Sequence, residues 1–470
     1  MMEELNLMKQ AVQVLMKGMP LALRDPHRPA WHLAPSVGLL NDPNGFIQHN
    51  GVYHLFYQWN PLGCDHRNKC WGHWQSTDLL NWQHQPVALV PGACYDSHGC
   101  YSGSAVVADG KIMLAYTGNV KYPDGSRTAY QCLALENAQG GYDKLGPVLP
   151  LPEGYSGHVR DPKVWRHQDS WYMVLGARDL QDRGKVLLLR SADLRSWQLL
   201  GEIAGSQLNG MGDFGYMWEC PDLFTLADAE VLICCPQGLA AQDERYLNVY
   251  QAGYLTGKLD YRQAAFEHGE FHELDAGFEF YAPQTTLAED GRRLLVGWMG
   301  VPEQDEACHP TLQYGWIHTM TCPRELSLHN GKLYQQPARE LQRLRGKGSQ
   351  WQGIADNAPG WPVGSAEVIL TPNGAFSADF GDAMTLSWDG ALLRLTRNNL
   401  RNGQPEHRYW RGEVTHLQML FDSSSVEIFI NHGEGVMSSR YFPGPQPHLR
   451  LSGEAQLALE HWPLTPCMLE

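Results

Sequence analysis

Asn41-Asp42-Pro43-Asn44, Arg160-Asp161-Pro162-Lys163, Glu219-Cys220-Pro221-Asp222 and Tyr281-Ala282-Pro283-Gln284 are four short polar clusters with proline in third place. Their prolines lie 119, 59 and 62 residues apart, two periods of about sixty and then one each. Tyr101-Ser102-Gly103-Ser104 fills the gap in the series. Each cluster opens a short strand pattern and is followed by an apolar run, at residues 54–60, 112–119, 171–178, 231–238 and 294–300. Outer-strand echoes recur at 76–82 and 191–197. Strand-rich units at a fixed period, none able to bury its own faces, describe a β-propeller, here with five blades. The competing reading is a two-sheet sandwich with accidental spacing.

Beyond residue 338 the texture changes. Residues 339–350 read as a basic, polar connector with room for a helical turn. The short alternating runs after it, separated by Gly, Pro and Asn, read as a second all-β unit, a sandwich. At the other end, Leu5, Met8, Val12 and Leu15 recur at helical spacing, so residues 1–25 are expected to hold a short amphipathic helix packed on the body and broken at Gly18. The expected organisation is therefore 1–25 helical, 26–338 propeller, 339–350 linker and 351–470 sandwich.

Composition bounds what such a chain can meet. Its 470 residues are 43% apolar and 19% charged, enough for large cores and too apolar for disorder. With 36 basic against 51 acidic side chains the net charge is −15, which makes nucleic acid and anionic membranes poor partners. The eleven cysteines are scattered and odd in number, the usage of reduced thiols, and the first residues lack the pattern of a secretory leader. A cytoplasmic protein is expected.

A propeller sends the first strand of every blade to the central axis, so residues far apart in sequence converge there. Asp42, Asp161 and Glu219, in units one, three and four, are expected to face one cavity among Asn41, Arg160 and abundant aromatics. Two carboxylates facing a glycosidic bond suffice to hydrolyse it, one protonating the leaving oxygen and one attacking or activating water. Carboxylates also cap turns and pair with arginine, and each alone carries that simpler reading. Cys64, His66, Cys70 and His73 superficially suggest a metal site, but five residues separate the two cysteines where structural zinc sites place two to four. No phosphate-cradling Gly-rich loop and no G-x-S-x-G elbow is present. Neither a metal nor a cofactor is expected.

The segments 31–46, Tyr101-Ser-Gly-Ser, Arg160-Asp161-Pro162, Trp218-Glu219-Cys220-Pro221-Asp222 and the tail 421–443 together resemble the signature segments of glycoside hydrolase family 32, the invertases and fructan hydrolases. The resemblance runs from about residue 25 to the end. It implies a five-bladed propeller followed by a sandwich, and a retaining β-fructofuranosidase acting on sucrose 6-phosphate or sucrose. It further implies Asp42 as nucleophile, Glu219 as general acid/base, Asp161 as a fixed carboxylate on the fructosyl hydroxyls, and Asn41, Gln58, Tyr101, Ser102, Arg160 and Trp298 as sugar-binding residues. Glu219 is then expected to be raised in pKa, and Asp42 and Asp161 to stay ionised. Where many members carry W-G-N-x-x-W, this chain reads His66-Arg67-Asn68-Lys69-Cys70-Trp71. Arg67 and Lys69, with Lys121 and Arg127, are the candidate contacts for a phosphate. A fructan exohydrolase and a non-catalytic sugar-binding propeller are the alternatives. The expected partner is a small sugar; the oligomeric state stays open.

Overall fold

The apolar runs that mark the repeat are buried along almost their whole length because each lies in a sheet covered on both faces. In the computed structural model, which describes residues 2–466, residues 38–337 form five antiparallel sheets in succession. Their inner strands are Gly38–His49, Cys100–Ala108, Tyr155–His167, Met217–Leu226 and Tyr281–Leu287. The runs themselves are the second strands: Val52–Asn60, Lys111–Lys121, Ser170–Asp179, Ala229–Gln237 and Arg293–Met299. Alternate residues of one run serve two different layers. Met173 and Leu175 pack toward sheet two, whereas Val174 packs toward sheet four. A strand with a hydrophobic layer on each face loses the in–out alternation and reads as a continuous apolar run.

Each inner strand packs on the next, and Tyr281–Leu287 packs back on Gly38–His49, so the sheets close a ring. Trp316–Ile317, from the segment that follows the second strand of sheet five, pairs in parallel with Gly38 and Leu39. That pairing ties the end of the ring to its beginning. The arrangement is a propeller, with the inner strands around its axis. Following it, a 3₁₀ turn at Arg339–Leu344 leads to two six-stranded sheets packed face to face around Val368, Leu386, Leu395, Met419 and Ile428.

The N-terminal helix departs from its expected form. It runs from Met2 to Ala22, straight through Gly18. Leu5, Met8 and Val12 are 52%, 41% and 55% exposed, while Ala11 and Ala22 are buried and Leu15 packs on the core. Small residues decide the buried face. A Cβ on Gly18 would meet Val37 Cγ1 at 2.9 Å, so glycine permits the close approach that a larger side chain would prevent.

Propeller and sandwich meet across buried charge. Arg324 of sheet five is fully buried and donates to Glu427 of the sandwich at 2.7 Å and to Asp275 at 3.3 Å. His32, just ahead of the first inner strand, bridges Asp422 at 2.9 Å and Glu427 at 2.7 Å. Removing one member of such a set strands the others in a low-dielectric interior. Arg324→Ala is expected to cost about 3–5 kcal/mol of stability, read as a lowered urea midpoint; a loss under about 1 kcal/mol would mean that the carboxylates stay solvated.

Candidate active site

In all five sheets the pairing between inner and second strand slips at the polar cluster. The slips fall between Leu40 and Pro43, Tyr101 and Gly103, Arg160 and Lys163, Glu219 and Asp222, and Tyr281 and Gln284. A regular strand sends neighbouring side chains to opposite faces, but a bulge re-aims them. Here neighbours enter together: Asn41 with Asp42, Tyr101 with Ser102 and Arg160 with Asp161 line one cavity of about 430 Å³. Proline has no N–H to lose where the ladder is already interrupted, which is why four clusters carry it. The second cluster uses Gly103 instead, whose N–H donates to Asn44 Oδ1 and whose missing Cβ would lie 1.9 Å from the Ala115 carbonyl oxygen. Aligned on proline, Cys220 is level with Asp42 and Asp161, while Glu219 is level with Asn41 and Arg160. The three carboxylates thus share a cavity from two adjacent repeat positions rather than one.

Each carboxylate sits among different neighbours. Asp42 accepts from Ser102 Oγ at 2.5 Å and Asn41 Nδ2 at 3.0 Å. Burial pushes its pKa up, Ser102 opposes this, and the charge of Glu219 adds to the rise. Asp161 accepts the Cys220 N–H at 2.9 Å, and burial together with Glu219 pushes it to about 7. The Cys220 thiol lies 3.6 Å from both aspartates. Glu219 differs from expectation. Burial pushes it up, but Arg160 donates through Nε at 2.8 Å and Nη2 at 2.6 Å, and Tyr281 donates at 2.7 Å, leaving it below the usual carboxylate range. Gln237 adds a fourth donor at 2.9 Å. In the empty cavity the two aspartates are thus pushed toward protonation and Glu219 toward its charged form.

The remaining sugar-site candidates, Gln58 and Trp298, line the same cavity. Trp298 Nε1 is buried without a hydrogen-bond partner. Of the four cations considered for a phosphate, Arg67 is 82% exposed and pairs with Asp65. Lys121 is exposed and lies outside the cavity lining. Lys69 is buried and turned inward, donating to Asn41 Oδ1 and to His66 Nδ1 at 2.8 Å. Only Arg127 reaches the cavity wall away from Asp42, joined there by His158 and Arg178.

Lys69 gives the site a direction. An ammonium can only donate, so Asn41 must present its oxygen to Lys69 and its amide N–H to Asp42. Likewise His66 accepts at Nδ1, which leaves its proton on Nε2 for Glu306 at 2.9 Å, and His318 donates to the same oxygen at 2.8 Å. Donation therefore runs outward from Lys69, through His66 to Glu306 on one side and through Asn41 to Asp42 on the other. The sequence marks Lys69 only as a candidate phosphate contact and gives no sign of Gln237, because the direction of both is set by how sheets meet. Tyr281 occupies the repeat position of Asn41, Arg160 and Glu219, a signal that was available.

Residues 32–337 match the glycosyl hydrolases family 32 N-terminal domain, and residues 389–460 the family's C terminal domain. The chain belongs to glycosyl hydrolase family 32. Among family members, it is 60% identical to the sucrose-6-phosphate hydrolase of Salmonella typhimurium and 46% identical to that of Bacillus subtilis, each over 98% of both chains. The structure of sucrose-6-phosphate hydrolase from Lactobacillus gasseri superposes with a TM-score of 0.89 at 30% identity over 97% of both chains. A family 32 β-fructofuranosidase from Bombyx mori, in a mutant form complexed with sucrose, gives 0.86 at 33% identity, covering 99% of this chain and 98% of that one. The enzyme is a glycoside hydrolase.

Two outcomes follow from these charges. A carboxyl whose folded pKa is raised to about 7 binds its proton more tightly than the unfolded chain does, so it disfavours folding above pH 7, an effect that fades as pH falls to its ordinary value near 3.8. Asp161→Asn, which keeps the φ of +66° within asparagine's reach, should raise Tm by about 2–4 °C or more at pH 8 and by little at pH 4. An equal shift at both would refute the electrostatic origin. Lys69 faces Asp42, Glu306, Asp65 and Glu219. Lys69→Met should move the acidic limb of kcat/KM upward by about one pH unit, because Asp42 loses its supporting cation. An unmoved limb would make Lys69 a packing residue.

Proposed function

We propose that this chain is a retaining β-fructofuranosidase that hydrolyses sucrose 6-phosphate to glucose 6-phosphate and fructose. The observation that carries the reading is the trio of carboxylates in one cavity, each in a distinct environment, in a chain 60% identical to a sucrose-6-phosphate hydrolase. Asp42, steered by Asn41 and Ser102, is the nucleophile on the fructosyl anomeric carbon. Glu219 protonates the glycosidic oxygen as the glucosyl group leaves, and then takes a proton from the water that releases fructose. Asp161 accepts hydrogen bonds from fructosyl hydroxyls, with Asn41, Gln58 and Trp298 around the ring.

Substrate binding resolves the proton's position. Hydroxyls donating to Asp161 favour its charged form. The proton held by the trio then passes to Glu219, whose hold on Arg160 is shared with the incoming sugar. The three groups titrate as a unit, so the pH–rate profile reports the set rather than any one member. The same reading puts the enzyme in the cytoplasm, where phosphorylated sugars are retained.

Methanolysis should yield methyl β-fructofuranoside, detected by NMR, since two displacements at one carbon restore the configuration. The α-anomer would sink the double displacement. Glu219→Gln should lose about 10²–10⁴-fold on sucrose 6-phosphate and much less on a fructoside with an activated leaving group, because only the former needs the proton. Equal losses would leave Glu219 as a binding residue.

A further inference from the structure

One wall of the cavity carries more positive charge than the cleavage of a neutral sugar requires. Arg127, on the third strand of sheet two (Arg127–Glu136), His158 and Arg160, on the inner strand of sheet three, and Arg178, on its second strand, all line it. Arg160 is engaged by Glu219. Arg127 has no such partner: among the described residues no carboxylate lies within ion-pairing distance of it. It donates to Asn119 Oδ1, lies 5.7 Å over the Tyr101 ring, and approaches His158 Nδ1 at 3.5 Å. Its Nε is buried and unsatisfied. Arg178 pairs at 2.7 Å with Asp182, a carboxylate whose side chain is 70% exposed, and lies over the Tyr216 ring at 5.1 Å.

Like charges gathered in a partly buried wall repel one another and leave guanidinium donors poorly solvated. Burial and the neighbouring Arg160 both push Arg127 toward losing its proton. His158 is held neutral by burial and these cations, and accepts from Arg160 Nη1 at 3.0 Å, so its proton is on Nε2, a further donor. An anion entering the group relieves the repulsion and satisfies the donors together. Planar guanidinium forks suit the oxygens of a phosphoryl group.

We propose that Arg127 and Arg178, with His158 beside them, form the cradle for the 6-phosphoryl group of the departing glucosyl unit. This rests on the β-fructofuranosidase reading above. The cluster reaches the chemistry through Arg160 and Glu219, the donor to the leaving oxygen, and no described hydrogen bond joins it to Asp42. That places it on the leaving group's side. The chain's net charge of −15 opposes a phosphate at long range, yet salt screens that field beyond about 8–10 Å, so contact cations decide selectivity.

The test compares kcat/KM for sucrose 6-phosphate and for sucrose in the full-length enzyme and in Arg127→Gln, Arg178→Gln and the double variant. The ratio of the two should fall about 10- to 100-fold for each single substitution, as for lost charge-assisted contacts, and Arg→Lys variants should recover part of it. Glucose 6-phosphate should also shield Arg127 and Arg178 of the unmodified protein from phenylglyoxal, mapped by mass spectrometry, where glucose does not. This arm stands even if a variant fails to fold. A wild-type enzyme that does not prefer the phosphorylated substrate overturns the substrate reading and the cradle with it. A wild-type preference that survives in the double variant, or modification of both arginines unaffected by glucose 6-phosphate, overturns the cradle alone.

Discussion

The active site depends on a backbone irregularity repeated around a ring. An unbroken inner strand would offer every second side chain to the axis, and Asp42 could not face it together with Asn41, nor Asp161 with Arg160. The bulge removes that restriction, and its repetition brings pairs of neighbours into one cavity. Its backbone is held in an unfavoured region: φ is +66° at Asp161 and +49° at Cys220. Such residues cost about 1–3 kcal/mol each and persist only where their surroundings over-determine them. The second strands supply that constraint, each clamped between two hydrophobic layers.

Placing three carboxylates in one cavity sets a problem of repulsion, and the cations are distributed unevenly to meet it. Glu219 receives Arg160 directly. Asp42 feels Lys69 at one remove, through the amide of Asn41. Asp161 has the Cys220 N–H and a thiol, and no cation bonds to it among the described residues. The proton affinities follow that support: both aspartates are raised and Glu219 is lowered. Glu219, the general acid of the proposed mechanism, is thus the best-supported anion while the cavity is empty. That mechanism requires substrate hydroxyls to redistribute the proton, which ties acid strength to correct binding.

The ring was legible because its two markers are chemical: proline at a broken ladder and a run buried on both faces. The carboxylates were legible through those markers, although Glu219 stands one residue ahead of the position occupied by the aspartates, a shift visible only once the bulge is seen. Direction was harder. Lys69 and Arg67 lie two residues apart in one loop, yet one is buried against Asn41 and the other is bound to Asp65 in solvent. Nothing in their spacing distinguishes them, because the sheet contacts that bury Lys69 are non-local. The helix misled for a related reason. Its large apolar residues follow helical spacing, but close packing on Val37 selects the face with Gly18, Ala11 and Ala22.

The cavity is divided by sheet as well as by charge. Sheets one and five supply Asp42, Asn41, Gln58 and Trp298, of which Asp42 and Asn41 are joined through Lys69 and His66 to Glu306, a chain whose polarity is fixed by an ammonium that cannot accept. Sheets two and three supply Arg127, His158 and Arg178, which share no described hydrogen bond with that chain. Glu219, on sheet four, is bonded by Arg160 from one side and Tyr281 of sheet five from the other. Arg127 and Arg178 therefore sit on different strands from the three carboxylates, whereas His158 shares the inner strand of sheet three with Arg160 and Asp161. Substitutions at Arg127 or Arg178 can alter the second set without moving the bulges that aim the first. A ring of separate sheets permits that independence, since each contributes its own strand ends to one cavity.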